Sequence, residues 1–202
     1  MKLISGKLTL EISFPLAAAM TAVILYDSST SVLECLIAVI LHESGHLLML
    51  HRYGSFPKRI KLTLFDIAIT DTHKTTRGFS QELAVTLAGI ISNIIFTCLS
   101  FLLYFLFPCS FFEGLAAANL SLAVFNALPV DSLDGGQALA LILSRFCSPE
   151  KVLPILDIIS LMILFPMLIP GFLLLLRSEY NFSLLLSSLY LIALILLKKR
   201  KA

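Results

Sequence analysis

The sequence predicts an α-helical integral membrane protein of about six transmembrane helices, with a small β-sheet at the membrane surface on the cytoplasmic side. Three observations lead there. First, 58% of the residues are hydrophobic and only 14% are charged, where a soluble domain carries roughly 25% charged residues. With a mean hydropathy of +0.95, lipid is the expected main solvent. Second, the apolar residues gather into runs near the roughly 20 residues that a helix needs to cross the hydrocarbon core. Third, almost all basic residues fall on one side of the resulting topology.

The runs lie at about 14–30, 31–52, 80–107, 112–129, 152–174 and 181–197. The first is short. The third is long enough to tilt in the bilayer. The fifth holds Pro154, Pro166 and Pro170, so a kink or an early break is expected in it. Two stretches alternate with a period of two: residues 7–14, and residues 59–64 followed by the β-prone 67–70. Such alternation predicts strands, and both stretches belong to the cytoplasmic side. No segment is long enough for a second soluble domain, so one domain covering 1–202 is expected. A polar–apolar alternation precedes the first run and no clear small-x-small cleavage site stands before Asp27, so a cleaved signal peptide is not expected.

With the N-terminus cytoplasmic, the inner side holds Lys2, Lys7, Arg52, Lys58, Arg59, Lys61, Lys74, Arg77, Arg145, Lys151 and the terminal Lys198, Lys199, Arg200 and Lys201. The outer side holds Arg177 against Asp27, Glu113 and Glu179. Removing any one span would scatter these charges over both faces, so the asymmetry supports both the six spans and cytoplasmic termini. A net charge of +2 is too small to argue for nucleic acid, and the basic C-terminus reads as an inner-leaflet anchor. The four cysteines, Cys35, Cys98, Cys109 and Cys147, form no C-x-x-C pair and indicate neither a disulfide framework nor a thiolate metal site.

Within the second run stands His42-Glu43-Ser44-Gly45-His46. On a helix this spacing puts two imidazoles one turn apart on one face, able to share a zinc ion, with Glu43 placed as a general base toward water. Ionisable groups at membrane depth are costly, so their presence is by itself a sign of function. A catalytic zinc needs a third protein ligand. His51 lies about 140° around the helix from His46 and His73 lies in a basic loop, so both read better as interfacial or solvated histidines. Asp134 is the better candidate. It lies in Asn126-Ala127-Leu128-Pro129-Val130-Asp131-Ser132-Leu133-Asp134-Gly135-Gly136, which follows the fourth run and returns to the side of the membrane where the histidines lie. Pro129 is expected to interrupt the helix, and the glycine pair to permit close backbone approach at the metal.

Together, His42-Glu43-x-x-His46 and Asn126-x-x-Pro129-x-x-x-Leu133-Asp134-Gly135-Gly136 resemble the site-2 protease family of intramembrane zinc metalloproteases. The resemblance implies one zinc held by His42, His46 and Asp134, water activated by Glu43, and substrate positioned by Asn126 and Pro129. It implies a membrane-bound protein substrate cut in or near its transmembrane segment, and a regulatory membrane partner. The stretch Ala88-Gly89-Ile90-Ile91-Ser92-Asn93 resembles a further family pattern, with Ile90 where the family has proline. The six-run layout without an inserted PDZ domain is closest to the sporulation branch, that of the stage IV sporulation protein FB, which implies a bacterial origin and a sporulation role as one setting. That branch usually continues into a nucleotide-sensing CBS domain, so regulation of that kind in cis is not expected here. Two rival readings remain. A prenyl-protein-processing protease would use a glutamate as third ligand, and no downstream Glu has a comparable context. An inactive zinc-binding scaffold would be expected to lack Glu43, and a metal transporter to carry polar ligands on several spans.

Overall fold

A computed structural model describes the chain at residues 2–5, 8–12, 30–54, 57–62, 67–71, 77–177, 189–193 and 195. The run expected at 14–30 and most of that at 181–197 lie outside the described residues, as does His73. The structure divides into two compact units, Met1–Ala123 and Val124–Ala202.

The first unit begins with β1 (Lys2–Ser5) and β2 (Leu8–Ile12) and continues through α1 (Ser31–Arg52), β3 (Pro57–Leu62), β4 (Ile67–Asp71) and α2 (Phe79–Leu106) into α3 (Ser110–Asn126). The strands form a sheet in the order β1-β2-β3-β4. β1 pairs with β2 and β3 with β4 in antiparallel fashion, with Leu3 opposite Leu10 and Ile60 opposite Ile69. β2 and β3 are parallel, with Leu10 opposite Ile60. A parallel pair needs a crossover of a dozen or more residues, and the connection through α1 supplies it.

α1 is a 22-residue helix of nearly continuous apolar sequence, long enough to cross a membrane. It stops at Gly54, whose φ of 69° is in the left-handed region that a glycine adopts without a Cβ penalty. There the Gly54 amide donates to the His51 carbonyl at 2.9 Å, closing the last turn. α2, with 28 residues, starts where the Gly78 amide donates to Gln81 Oε1 and Arg77 pairs with Glu82 at 2.7 Å.

The burial pattern of these helices is inverted relative to a water-soluble bundle. Asn93 and Asn119 are fully buried, and Glu34, His42, Thr97 and Ser100 nearly so. Leu48 is 72% exposed and Phe105 82%. Large apolar groups facing outward while small and polar groups face the neighbouring helix is the arrangement expected where lipid is the solvent and helix association rests on close packing and hydrogen bonds. Gly45 shows the closeness: a Cβ there would lie 2.7 Å from Ser92 Cβ and 2.5 Å from the Ala88 carbonyl oxygen.

The second unit holds the end of α3, α4 (Asp134–Leu143) and α5 (Pro149–Arg177). Its core gathers Val130, Leu133 and Leu164 with Leu191, Ile192 and Ile195. Two expectations change here. α5 runs unbroken through Pro154, Pro166 and Pro170. Each proline removes one backbone hydrogen bond, a loss that transmembrane helices tolerate through local readjustment and neighbouring groups. The Leu-Asp-Gly-Gly stretch, expected as irregular chain, instead opens a ten-residue helix with Leu133 as its extended N-cap.

Among the described residues, three helices, Ser31–Arg52, Phe79–Leu106 and Pro149–Ile169, are long and apolar enough to cross a membrane. α3, the expected fourth span, has 17 residues, the lower bound of the usual range.

Candidate metal centre and active site

His42 and His46 are one helical turn apart on α1, and both imidazoles point at α2. The Nδ1 of His46 lies 2.8 Å from the carbonyl oxygen of Val85. A carbonyl only accepts, so this nitrogen carries a proton, which in a neutral imidazole puts the lone pair on Nε2. The Nδ1 of His42 bonds Oδ1 of the buried Asn93. The two Nε2 atoms then face each other at 3.2 Å.

That separation tests the fit to a metal. Two nitrogens bound at about 2.0–2.1 Å to one tetrahedral zinc stand about 3.3–3.4 Å apart. The donor set therefore suits zinc.

Room for the rings comes from Gly89. A Cβ at that position would strike Nε2 of His46 and stand 2.6 Å from both Cε1 and Nε2 of His42. Only a glycine lets the α2 backbone pass over both imidazoles. Four residues further along the same face, Asn93 donates through Nδ2 to the Ala38 carbonyl at 3.1 Å and to Asn119 Oδ1 at 2.9 Å. Glu43, half-buried, follows His42 on α1 and lies about 100° from it around the helix. His51 is exposed at the helix end, as its angular offset from His46 suggests.

In the second unit, Asp134 is a half-buried residue in the first turn of α4. Asn126 closes α3, and Pro129 follows it in the irregular stretch before α4. The tight approach made possible by Gly135 and Gly136 is to the chain itself: added Cβ atoms would land on the carbonyls of Ala127 and Leu128, and of Val130. The glycine pair therefore lets α4 fold back on the Ala127–Val130 turn, which positions Asp134. Asp131 is held apart in role, its amide donating to Ser160 Oγ at 3.0 Å.

Comparison with known proteins now bears on this geometry. The architecture superposes on the site-2 protease from Methanocaldococcus jannaschii with a TM-score of 0.70, over 95% of this chain and 91% of that one, at 22% identity. This is the site-2 protease fold. In sequence, the chain is 32% identical over 119 residues to the stage IV sporulation protein FB of Bacillus subtilis (strain 168). That match covers 56% of this chain and spans only 40% of the length of the relative. No protein-family profile matches the chain. The fold is thus like that of a site-2 protease, and part of the sequence is similar to the stage IV sporulation protein FB. The apolar helices accord with a membrane location.

Sequence reading missed three participants: Gly89, Asn119 and the Val85 carbonyl. Asn119 left a signal, a lone amide within an apolar run, which needs a partner in lipid. The Val85 carbonyl left none, because a backbone acceptor has no sequence signature.

Proposed function

We propose that this chain is an intramembrane zinc endopeptidase that hydrolyses a peptide bond in or near the transmembrane segment of another membrane protein. The observation that carries the reading is the facing pair of His42 and His46, with Glu43 beside them on a helix able to cross a membrane. His42, His46 and Asp134 are the set we assign to one zinc. Histidine and aspartate are side-chain types that suit a zinc ion. Two histidines and a carboxylate leave an open position in a tetrahedral site, as a catalytic zinc requires. The fold likeness extends over 95% of this chain.

A zinc bound there supplies Lewis acidity, which acidifies water and polarises the substrate carbonyl. Glu43 takes a proton from the attacking water as the oxygen–carbon bond forms. It then delivers that proton to the departing amide nitrogen as the carbon–nitrogen bond breaks. Asn126 and Pro129 position the substrate. A helical substrate hides its carbonyls in internal hydrogen bonds and must unwind before attack. The β-sheet, placed at the cytoplasmic membrane surface, offers the freed backbone groups strand partners. The two units act as a single catalytic domain.

Zinc content of purified variants tests the ligand assignment. Asp134→Ala is expected to lower it about tenfold or more, and Asp131→Ala to change it much less. Equal loss in the two variants would move the third ligand.

Six spans with both termini cytoplasmic, in a bacterial cell membrane, complete the proposal and rest on the asymmetry of the basic residues. Topology reporters fused at Ser110 and at the C-terminus are expected to report opposite sides. The same side for both would overturn the six-span layout.

A further inference from the structure

We propose that Asn93 and Asn119 form a relay of hydrogen bonds whose task is to set the tautomer of His42 before any metal arrives. The proposal deepens the zinc reading above and rests on it for its functional meaning. Its own basis is the direction in which each hydrogen bond must run.

Leu115 and Ala38 each present a backbone carbonyl, which only accepts. The Asn119 atom 2.8 Å from the Leu115 carbonyl is therefore the amide nitrogen, which turns Asn119 Oδ1 the other way. That oxygen is 2.9 Å from the Asn93 amide, and the Ala38 carbonyl lies 3.1 Å from the same Asn93 atom. Two acceptors demand that this atom be Nδ2. Asn93 consequently has only its Oδ1 left to face His42 Nδ1. An oxygen acceptor there demands a proton on Nδ1, and a neutral imidazole with a proton on Nδ1 has its lone pair on Nε2.

Burial makes the chain of constraints binding. Asn93 and Asn119 are both 0% exposed, so no water competes for their amides and a flipped amide would set oxygen against oxygen. His46 reaches the same state by a simpler route, with the Val85 carbonyl holding its Nδ1 proton. The two ligands of the motif are thus oriented by different means. His46 depends on the backbone, which substitution cannot remove, whereas His42 depends on two side chains from two other helices. Asn93 and Asn119 act as positioning residues, through His42 and not on substrate.

The test uses the full-length chain purified in detergent and stripped of metal. Co2+ binding reports on the site, and nitrogen NMR of labelled histidines reports the His42 tautomer in the metal-free protein. In the wild type His42 is expected to carry its proton on Nδ1. Asn93→Ala should weaken Co2+ binding about 10–100-fold, the usual cost of losing such an outer partner, and should mix the two tautomers. Asn93→Asp keeps an oxygen toward Nδ1 and should keep the Nδ1 proton, while its second oxygen, set against the Ala38 carbonyl and Asn119 Oδ1, costs stability. Asn119→Ala leaves Asn93 in place beside the Ala38 carbonyl and should show a smaller loss in the same direction. This variant keeps the test open if Asn93→Ala does not fold, since wild-type affinity and tautomer in Asn119→Ala would remove that residue from the relay. An unchanged tautomer in Asn93→Ala, or a loss of the Nδ1 proton in Asn93→Asp, overturns the proposal. Failure of the zinc reading looks different: His42→Ala would bind Co2+ as the wild type does, while the tautomer shift in metal-free Asn93→Ala would persist.

Discussion

Replacing Glu43 with Gln is expected to leave zinc in the protein while lowering peptide cleavage by about 10²–10⁴-fold. Gln has the shape of Glu and none of its basicity, so the variant removes proton transfer and little else. Zinc should stay, because on α1 Glu43 lies about 100° from His42 and cannot share the aim of the two imidazoles. Substrate should still associate, because binding rests on membrane-embedded surfaces and not on this carboxylate. The measurement is zinc content beside the cleavage rate of a reporter whose transmembrane segment the wild type cuts. Cleavage at the wild-type rate would remove Glu43 from the mechanism. Loss of zinc would make it a ligand. A wild-type protein that binds zinc and cuts no membrane protein would favour a scaffold.

A single methyl group at Gly89 is expected to do comparable harm by another route. In Gly89→Ala the new Cβ meets both imidazoles, 2.6 Å from two ring atoms of His42. Neither side can yield easily. Gly45 already packs against Ala88 and Ser92, so α2 has no slack on the α1 side. The rings can retreat only by abandoning their bonds to Asn93 and to the Val85 carbonyl. Zinc content should therefore fall about tenfold or more, toward that of His42→Ala, with cleavage lost alongside it. Gly78→Ala is the control. A Cβ there has nothing within 4 Å, so zinc and activity should match the wild type. Wild-type zinc in Gly89→Ala would mean that the rings sit elsewhere in the working enzyme.

The helical membrane character and the metal-binding motif were legible without coordinates because each rests on local pattern. Apolar run length sets α1, α2 and α5 to within a few residues of their observed limits. The i, i+4 spacing puts two imidazoles on one face of any helix. The reading of the stretch around Asp134 was less good. Glycines beside an aspartate suggested a loop that approaches a metal, whereas they open α4 and make room for the chain's own turn. Glycine marks a close approach in sequence without saying to what. The prolines of α5 misled in the same way, since their local cost says nothing of how the surrounding helix absorbs it.

By itself, then, the sequence determined the solvent this protein is built for, the spans of its main helices, and the residue types offered to a metal. These follow from hydropathy and from a period of 3.6, which act over neighbours along the chain. Tertiary structure alone decided which nitrogen of each histidine faces the other ring. That choice depends on a carbonyl 39 residues away from His46 and an amide 51 residues away from His42. It also decided that Gly89, and not another small residue, must lie over the rings. The physical reason is the same in both cases: hydrogen-bond direction and steric clearance exist only between groups that folding has brought together.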